Sequence, residues 1–418
     1  ATCGTVSDGC GGSITCGTCL APELCGAGGE PNVCGLDQLP PDPASIAPPA
    51  PTHGLTDTLL DAFSFLFEHD PPVQMGLDPT VLDTLRVALV RGCVHERSGT
   101  PISGVRVALL DRPEHGYTFT REDGCYDLIL NGGGRVVLQY TQDNYLPVQR
   151  EVDVPVGSFG VAPDVVLIRQ SPVSTRVEFG ASEHAVAVGQ TETDADGART
   201  PVVYFPPGVQ ASTTVGGVTT PLASGNLRMT EFTVGNSGER AMPGSLPTGT
   251  LYTFAMDFSF DEVGPLQTVR FSQDVFVYLD NFIELPVSTE VPNGHYDYKI
   301  GSWVPDMNGI VMEVVGVSDG LALLDADLTP GHDSAGHLAS LGVTDEEREV
   351  IAARYGVGET FWRVPMAHFT PSDLNLPGLM QERPDVPPQP TKDLAQSSCE
   401  SISVGSTIYC HRRALGED

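Results

Sequence analysis

Apolar and polar residues alternate with a period of two along most of the chain after residue 86. This pattern is typical of strands that bury one face, and each alternating run ends at a turn signal rich in Gly, Asp or Asn. The first runs predict strands over residues 87–95, 105–110, 117–120, 125–130 and 135–140. Residues 171–290 and 291–380 continue in the same way. The sequence therefore predicts a mainly β protein with few short helices.

The stretch TREDGCYDLILNGGG, residues 120–134, combines acidic residues, one cysteine and three glycines. Asp123-Gly124 is a hairpin signal, because glycine supplies the positive φ that tight turns need. A phosphate-binding loop would need Lys and Ser or Thr after the glycines and a helix behind them. Here a strand pattern follows, so the stretch is predicted to be two turns around one strand.

Helical spacing of apolar residues is clearest over residues 56–68, where Thr56 or Asp57 can cap the first turn. Its apolar face contains Phe63 and Phe67, which are predicted to pack against a neighbouring β domain. His69-Asp-Pro-Pro ends this helix. A second helix is predicted over residues 344–354.

Six of the ten cysteines lie in residues 1–36, a segment with almost no apolar bulk: Cys3, Cys10, Cys16, Cys19, Cys25 and Cys34. Such a segment cannot bury a core, so a disulfide scaffold is predicted. Zinc is the alternative, since Cys16-Gly-Thr-Cys19 has ligand spacing, but no second pair matches it. A Pro-rich linker, 37–57, follows the head, and a second linker with a hairpin, 381–418, contains Cys399 and Cys410, which are expected to bridge.

The chain of 418 residues has 54 acidic and 22 basic residues, a formal charge of −32. Such a charge repels nucleic acid and anionic membranes, so neither is an expected partner. The sequence contains no run of 18 apolar residues that would span a membrane. Together with the cysteines, the charge indicates a secreted protein, and the absence of a visible signal peptide suggests a trimmed N-terminus.

Catalytic signatures are scarce in the sequence. His95-Glu-Arg-Ser lacks the second histidine of a zinc-protease helix, and Gly235-Asn-Ser-Gly lacks the spacing of a nucleophile elbow. The ten histidines are scattered singly. The expectation is a protein without enzymatic activity that requires no cofactor.

Several long stretches resemble a known family: FLFEHDPPVQMG (65–76), VRGCV (90–94), GTPISGVRV (99–107), HGYTFTREDGCYDLILNGGG (115–134), AMPGSLP (241–247), GHYD (294–297) and FWRVPMAHFTP (361–371). They are similar to the region before the shell in bacterial Rhs/YD-repeat proteins and in animal teneurins. The resemblance runs from about residue 58 to the end of the chain. The cysteine-rich head more weakly resembles modules on secreted proteins of myxobacteria-like bacteria.

The resemblance implies a helical connector (58–85), a transthyretin-like, carboxypeptidase-regulatory-like β-sandwich (86–170), a β-rich plug domain (171–290) and a β-rich wrap segment with a short helix (291–380). It implies that these domains plug or wrap a YD-repeat cage that encloses a toxin or effector. The cage would belong to the same polypeptide or to a cleaved partner chain, secreted or on the surface of a Gram-negative bacterium. Tandem YD repeats are absent from this sequence, which indicates a fragment cleaved from the shell or a part of a longer chain.

Residue roles follow from the same resemblance. Cys93 and Cys125 are expected to bridge adjacent strands of the transthyretin-like module, and two separately buried thiols are the alternative. Trp303, Phe361 and Trp362 are expected to pack the domain against the shell.

Calcium is the candidate metal, because an Asp-rich stretch resembles a degenerate form of one found in relatives and calcium prefers several oxygen ligands. Its candidate ligands are Asp319, Asp325, Asp327 and Asp333. A solvated loop is the alternative for this stretch. The alternative for the whole protein is an extracellular adhesion module that binds a glycan or a cell-surface protein.

Overall fold

The computed structural model describes residues 3–7, 12–17, 19, 24–27, 32, 34–36, 38–49, 58–235, 238–246 and 253–374. Strands dominate these residues and the helices are short, so the predicted mainly β fold is confirmed. Cys10 and the predicted hairpin with Cys399 and Cys410 lie outside the described residues.

The head and connector contain four short strands and three short helices. The head strands form two antiparallel pairs: β1 (Gly4–Ser7) with β2 (Ser13–Gly17), and β3 (Leu24–Cys25) with β4 (Cys34–Gly35). The helices are α1 (Pro43–Ile46), α2 (Leu59–Phe63) and α3 (Phe65–Glu68).

The connector helix differs from the prediction at its start and in its continuity. Thr58 is its N-cap: the Thr58 hydroxyl accepts from Asp61 N, and the Asp61 carboxylate accepts from Thr58 N, which forms a capping box. The predicted caps Thr56 and Asp57 lie outside the described residues. The helix is also divided at Ser64 into α2 and α3.

The first β-sandwich comprises nine strands: β5 (Gln74–Met75), β6 (Val87–His95), β7 (Arg106–Leu109), β8 (Tyr117–Phe119), β9 (Cys125–Asn131), β10 (Gly134–Thr141), β11 (Val148–Val154), β12 (Phe159–Val161) and β13 (Val165–Val166). One sheet has the order β11-β10-β7-β8-β5, and the facing sheet has β12-β6-β13 with β9 also paired to β6. A buried apolar core lies between them, with Tyr126 and Tyr140 joined through their hydroxyls at 2.7 Å.

The stretch 120–134 forms a turn, a strand and a second turn, as its pattern predicts. Gly124 has φ +74° and a Cβ there would meet the Val94 carbonyl, so the turn requires glycine. Within the following strand, Asp127 is buried and accepts hydrogen bonds from Arg91 and Arg121 at 2.7–2.9 Å. The acidic residues of this stretch therefore form turn and strand contacts.

The second β domain, residues 174–374, contains these strands in its first half: β14 (Ser174–Glu178), β15 (Ala185–Val188), β16 (Glu192–Asp194), β17 (Gly197–Arg199), β18 (Val202–Phe205), β19 (Ala211–Val215), β20 (Val218–Leu222), β21 (Ser224–Glu231), β22 (Ala255–Phe260) and β23 (Val269–Asp280). Its second half adds β24 (Glu290–Val291), β25 (Gly294–Asp297), β26 (Ser302–Pro305), β27 (Gly309–Ser318), β28 (Leu321–Asp325), β29 (Thr360–Phe369) and β30 (Ser372–Asp373). Its helices are α4 (Gly238–Ala241), α5 (Ala335–Ser340) and α6 (Asp345–Arg354).

Two sheets of the second domain face each other across one large apolar core. The six-stranded sheet has the order β14-β21-β22-β30-β25-β26, and the larger sheet contains β15-β18-β23-β29-β27-β24. In both sheets the strands from before residue 290 form one half and those from residue 290 onward form the other, and the two halves are paired directly. The predicted separation of a plug (171–290) from a wrap segment (291–380) is therefore corrected, because the cross-strand pairs β23–β29 and β22–β30 join the two halves into one domain.

Helices α5 and α6 cover the outer face of the larger sheet. Helix α6 begins after Thr344, whose hydroxyl accepts from Glu347 N, and it ends at Arg354, as predicted. The fully buried Glu347 accepts two hydrogen bonds from Arg363 at 2.6 and 3.0 Å and one from the Tyr278 hydroxyl. This buried ion pair fixes the helix to the sheet.

Candidate functional site

The contact between the first β-sandwich and the second β domain, here called the junction, is built around two consecutive residues of strand β11. Gln149 is fully buried: its backbone N–H donates to Pro243 O at 2.7 Å and its Nε2 to Tyr298 O at 2.9 Å. Its Oε1 accepts from the Tyr296 hydroxyl at 3.0 Å. The backbone amide and both ends of this side chain therefore bond to the second domain.

Arg150 crosses the junction beside Gln149. Its guanidinium donates to Met242 O at 2.9 Å and Arg240 O at 2.6 Å, and it also bonds Gln149 O at 2.7 Å. Burial lowers the pKa of Arg150 to about 10, with the phenols of Tyr140 and Tyr296 opposing that change. The side chain remains charged at neutral pH, and its three carbonyl partners form a fixed acceptor set for that charge.

A second arginine reaches across from the turn after strand β6. Arg97 Nη2 donates to Glu231 O at 3.1 Å and Phe232 O at 2.8 Å, at the end of strand β21. The same strand end is held from within the second domain, where the buried Arg199 bonds the carboxylates of Glu231 and Asp194. Those hydrogen bonds hold the pKa of Asp194 at about 2, below its ordinary value.

Apolar packing completes the junction. Leu146 of the first sandwich contacts a buried cluster with Phe232, Met242 and Ala255 of the second domain, and Trp303 packs at its edge. Gly244 lies against the Tyr296 ring, and a Cβ at Gly244 would overlap that ring. Close backbone approach at this position therefore depends on glycine.

The structure places the predicted packing residues in three different environments. Phe63 and Phe67 pack at the edge of a buried cluster that includes Val87, Leu89 and Ile129 of the first sandwich. Trp303 lies at the junction and is partly exposed. Phe361 and Trp362 are both 0% exposed in the two cores of the second domain. Phe361 and Trp362 are therefore not exposed for contact with a shell, because their side chains are buried within the described chain. Trp303 is partly exposed, and its contact with a shell stays a prediction.

Three disulfides lie in the described part of the chain: Cys3–Cys25, Cys19–Cys34 and Cys93–Cys125. Cys93 and Cys125 are cross-strand partners in β6 and β9, which is the pairing that the resemblance implied. Because Cys19 is oxidised, the Cys16–Cys19 zinc alternative loses one of its two ligands. The backbone of Cys16 lies in β2.

The four calcium candidates do not converge. Asp319 lies in the β27–β28 turn with φ +53°. Asp325 Oδ1 accepts from the amides of Asp327 and Leu328, a turn contact. Asp327 and Asp333 do lie together, with His337 Nδ1 3.1 Å from an Asp327 carboxylate oxygen, so the local group is two carboxylates and an imidazole.

Sequence reasoning missed a second histidine group, made by His295, Asp306 and His368. His295 Nδ1 lies 2.7 Å from Asp306 Oδ2, and His368 Nε2 lies 3.5 Å from the same oxygen. Burial opposes ionisation of Asp306, but hydrogen bonds from both rings outweigh it and hold the pKa of this carboxyl well below its usual range. Both histidines stand in stretches that resemble the family, GHYD and FWRVPMAHFTP, yet nothing in the sequence indicates that they meet.

A cleft of about 1100 Å³ separates the head and linker from the first sandwich. Leu36 and Asp42 line one wall, and Ser103, Glu122 and Arg169 are among the residues of the other. The acidic turn of the stretch 120–134 therefore borders an open, polar groove. Among the residues that the structure describes, no helix is both long and apolar enough to cross a membrane.

Residues 82–167 match the family model described as "Teneurin TTR-like domain". This region contains strands β6–β13, so the transthyretin-like sandwich predicted over 86–170 is confirmed as the fold of this part of the chain. The match covers less than half of the chain.

Three relatives share parts of the sequence. Teneurin-3 of Mus musculus is 31% identical over 159 residues, 36% of this chain and 6% of that protein. Teneurin-1 of Homo sapiens is 30% identical over 174 residues, 40% of this chain and 6% of that protein. Teneurin-m of Drosophila melanogaster is 32% identical over 140 residues, 33% of this chain and 5% of that protein. The chain therefore resembles teneurins over part of its length and spans about 6% of the relatives that it matches.

A solved structure, "Structure of the Streptococcal ancillary pilin", overlaps 44% of this chain and 60% of its own, with 13% identity and a TM-score of 0.19. A likeness at that TM-score supports no argument about this protein.

Proposed function

We propose that this chain is a non-catalytic, extracellular structural region that plugs or wraps a teneurin-like Rhs/YD-repeat cage, which encloses a toxin or effector. Three disulfides in the described residues and the similarity of residues 82–167 to a teneurin domain support an extracellular structural module. The shell is either part of the same polypeptide or a cleaved partner, secreted or on the surface of a Gram-negative bacterium.

The junction is the observation that carries this proposal. A plug must keep its shape under load, and two domains on a free linker move relative to each other. Here Gln149, Arg150 and Arg97 place their side chains on carbonyls of the second domain, and Tyr298 returns a hydrogen bond to Pro147 O at 3.0 Å. Opening the junction would exchange these hydrogen bonds for bonds to water, so each contributes about 0.5–1.5 kcal/mol net to keeping it closed. The two domains therefore act as one rigid body.

Purification of the protein from its native source, with a tag at Ala1, tests the proposal. Intact-mass measurement and terminal sequencing should reveal YD repeats in the same polypeptide or in a copurifying chain. A monomer with no YD-repeat sequence in its gene refutes the plug function.

Two glycine variants test whether the junction matters for closure of the cage. Gly244→Ala inserts a methyl group against Tyr296, whereas Gly134→Ala adds the same methyl where no atom lies within 4 Å. We expect Gly244→Ala to expose the enclosed cargo to added protease and Gly134→Ala to leave it protected. Equal protection in both variants would contradict a role of the junction in closure.

The cleft supports a second candidate function, binding of a cell-surface glycan or protein. Its walls combine carboxylates with Arg169, which lies over the Tyr145 ring at 4.7 Å, and such mixed polar and aromatic surfaces suit sugar hydroxyls. Glycan-array binding by the full chain, lost on substitution of Glu122 and Asp123 by alanine, would favour this alternative. No binding on the array together with a copurifying shell would exclude it in favour of the plug.

A further inference from the structure

The group of His295, Asp306 and His368 brings together three elements of the second β domain. His295 lies on β25 of the six-stranded sheet, and His368 lies on β29 of the larger sheet. Asp306 follows β26 directly, and its backbone N–H donates to Asn293 O at 2.9 Å. The group therefore joins strands of the two sheets, with His368 on β29, an interior strand of the larger sheet.

The donor atoms already converge on a small volume. One ring nitrogen of each histidine and one carboxylate oxygen lie within 4.8 Å of one another, and the two ring centroids are 4.3 Å apart. The side chains of His295, Asp306 and His368 are 15%, 29% and 9% exposed. Both histidine rings are largely buried, which restricts the positions of their nitrogen atoms. The Asp306 carboxylate is more exposed, so an ion and water can reach the group from its side.

This donor set suits a specific class of metal. Two imidazole nitrogens and one carboxylate oxygen are ligands that Zn²⁺ takes at about 2.0–2.2 Å, with water in a fourth, tetrahedral position. In that geometry neighbouring donor atoms lie about 3.3 Å apart. The separations of Asp306 Oδ2 from the two ring nitrogens, 2.7 Å and 3.5 Å, fall on either side of that value, and all three donor atoms lie within 4.8 Å of one another. Shifts of about 0.5–1 Å would therefore admit the ion.

We propose that His295, Asp306 and His368 bind one Zn²⁺ ion that ties the β25–β26 hairpin to strand β29. A water molecule completes the coordination. Because the ligands come from both sheets, the ion links the two sheets and stabilises the second domain against unfolding.

The two other groups of potential ligands in the described residues are poorer sites for zinc. Cys3, Cys19 and Cys25 are all oxidised in disulfides, so no thiolate is available. In the group of Asp327, Asp333 and His337, the carboxylates accept from the amides of Thr329 and Ala326. That group offers one imidazole, against two in the proposed site.

The test uses the complete chain, stripped with a chelator and titrated with Zn²⁺ alone at pH 7.5 against a chromophoric competitor. We expect a high-affinity site at one ion per chain and a higher melting temperature, followed by tryptophan fluorescence because both tryptophans, Trp303 and Trp362, lie in the second domain. Co²⁺ in place of Zn²⁺ should give the intense visible absorption of tetrahedral coordination.

Three variants and one control assign the site. His295→Ala and His368→Gln should each weaken the high-affinity binding by about tenfold or more and abolish the Co²⁺ band. Asp306→Asn keeps the side-chain volume and serves as the ligand variant if a histidine variant fails to fold. His337→Ala removes the imidazole of the other group and should leave one tight ion per chain.

Two outcomes overturn the proposal. One is the absence of stoichiometric Zn²⁺ binding by the wild-type chain. The other is binding that survives substitution of all three ligands or disappears with His337→Ala, which would assign the ion elsewhere.

Discussion

Asp257 lies on strand β22, and burial raises its pKa from 3.8 to about 7, an effect that the nearby Ser259 hydroxyl only partly offsets. At about 1.4 kcal/mol per pKa unit, this change corresponds to about 4 kcal/mol between the protonated and ionised forms. Between pH 3.8 and about 7, the Asp257 carboxyl is therefore protonated in the folded state and ionised in the unfolded state. Stability falls across this window as pH rises and levels off above it.

The isosteric variant Asp257→Asn isolates this contribution, since the amide cannot ionise. The pKa of Asp257 is 3.8 in the unfolded state and about 7 in the folded state. Relative to low pH, the wild type therefore loses about 1.7 kcal/mol of its free energy of unfolding at pH 5 and about 4.3 kcal/mol at pH 8. The stability of the variant relative to the wild type should therefore improve by about 2.5 kcal/mol from pH 5 to pH 8. A destabilisation by the amide that is the same at both pH values cancels in this comparison.

Urea denaturation followed by tryptophan fluorescence is the assay, because Trp303 and Trp362 both report on the second domain. Asp319→Asn is the control: it makes the same chemical change at an exposed turn with φ +53°, which asparagine tolerates. Its effect should stay within about 0.5 kcal/mol at both pH values. A relative stability of Asp257→Asn that does not change with pH would refute the reasoning.

Three further predictions concern contacts that hold the fold. Removing the Cys93–Cys125 disulfide as a double alanine variant opens a sequence separation of 32 residues, which should cost about 3–4 kcal/mol in thermal or urea unfolding of the first sandwich; no loss of stability would contradict this. Arg150→Met removes two hydrogen bonds to carbonyls of the second domain, so proteolysis between the two domains should accelerate while the circular dichroism signal is kept; unchanged proteolysis would show that the junction is held without it. Glu347→Gln leaves the buried Arg363 without its counter-ion and should destabilise the second domain by about 3–5 kcal/mol in calorimetry, and a neutral result would refute the role of the pair.

Local structure followed from the sequence where the signals are short-range. The period-two runs gave strands β6 and β9 close to their observed limits, since alternation and Asp-Gly turns act within a few residues. The helix predicted over residues 344–354 matches α6, Asp345–Arg354, for the same reason. The first connector helix was placed two residues early, because Thr56, Asp57 and Thr58 are all good caps and only the reciprocal bond to Asp61 selects Thr58.

Long-range structure could not be predicted in the same way. Strand β23 pairs with β29, whose residues lie about ninety positions later, so a boundary at residue 290 cut through one domain. The resemblance predicts that Phe361 and Trp362 contact a shell, and adjacent residues of a strand point to opposite faces. In this domain both faces of β29 are buried, one against the opposing sheet and one beneath α6, so neither ring reaches the surface.

The candidate sites share the property that sequence patterns do not identify them. Gln149 and Arg150 read as ordinary strand residues, because polar side chains usually alternate toward solvent on a half-buried sheet. They become functional candidates only when a second domain supplies carbonyls to them. His295 and His368 are separated by 73 positions and lie on different sheets, so each alone is a single histidine in a strand. A buried or half-buried polar residue where two sheets or two domains pack together is thus the feature that marks both candidate sites, and it exists only in three dimensions.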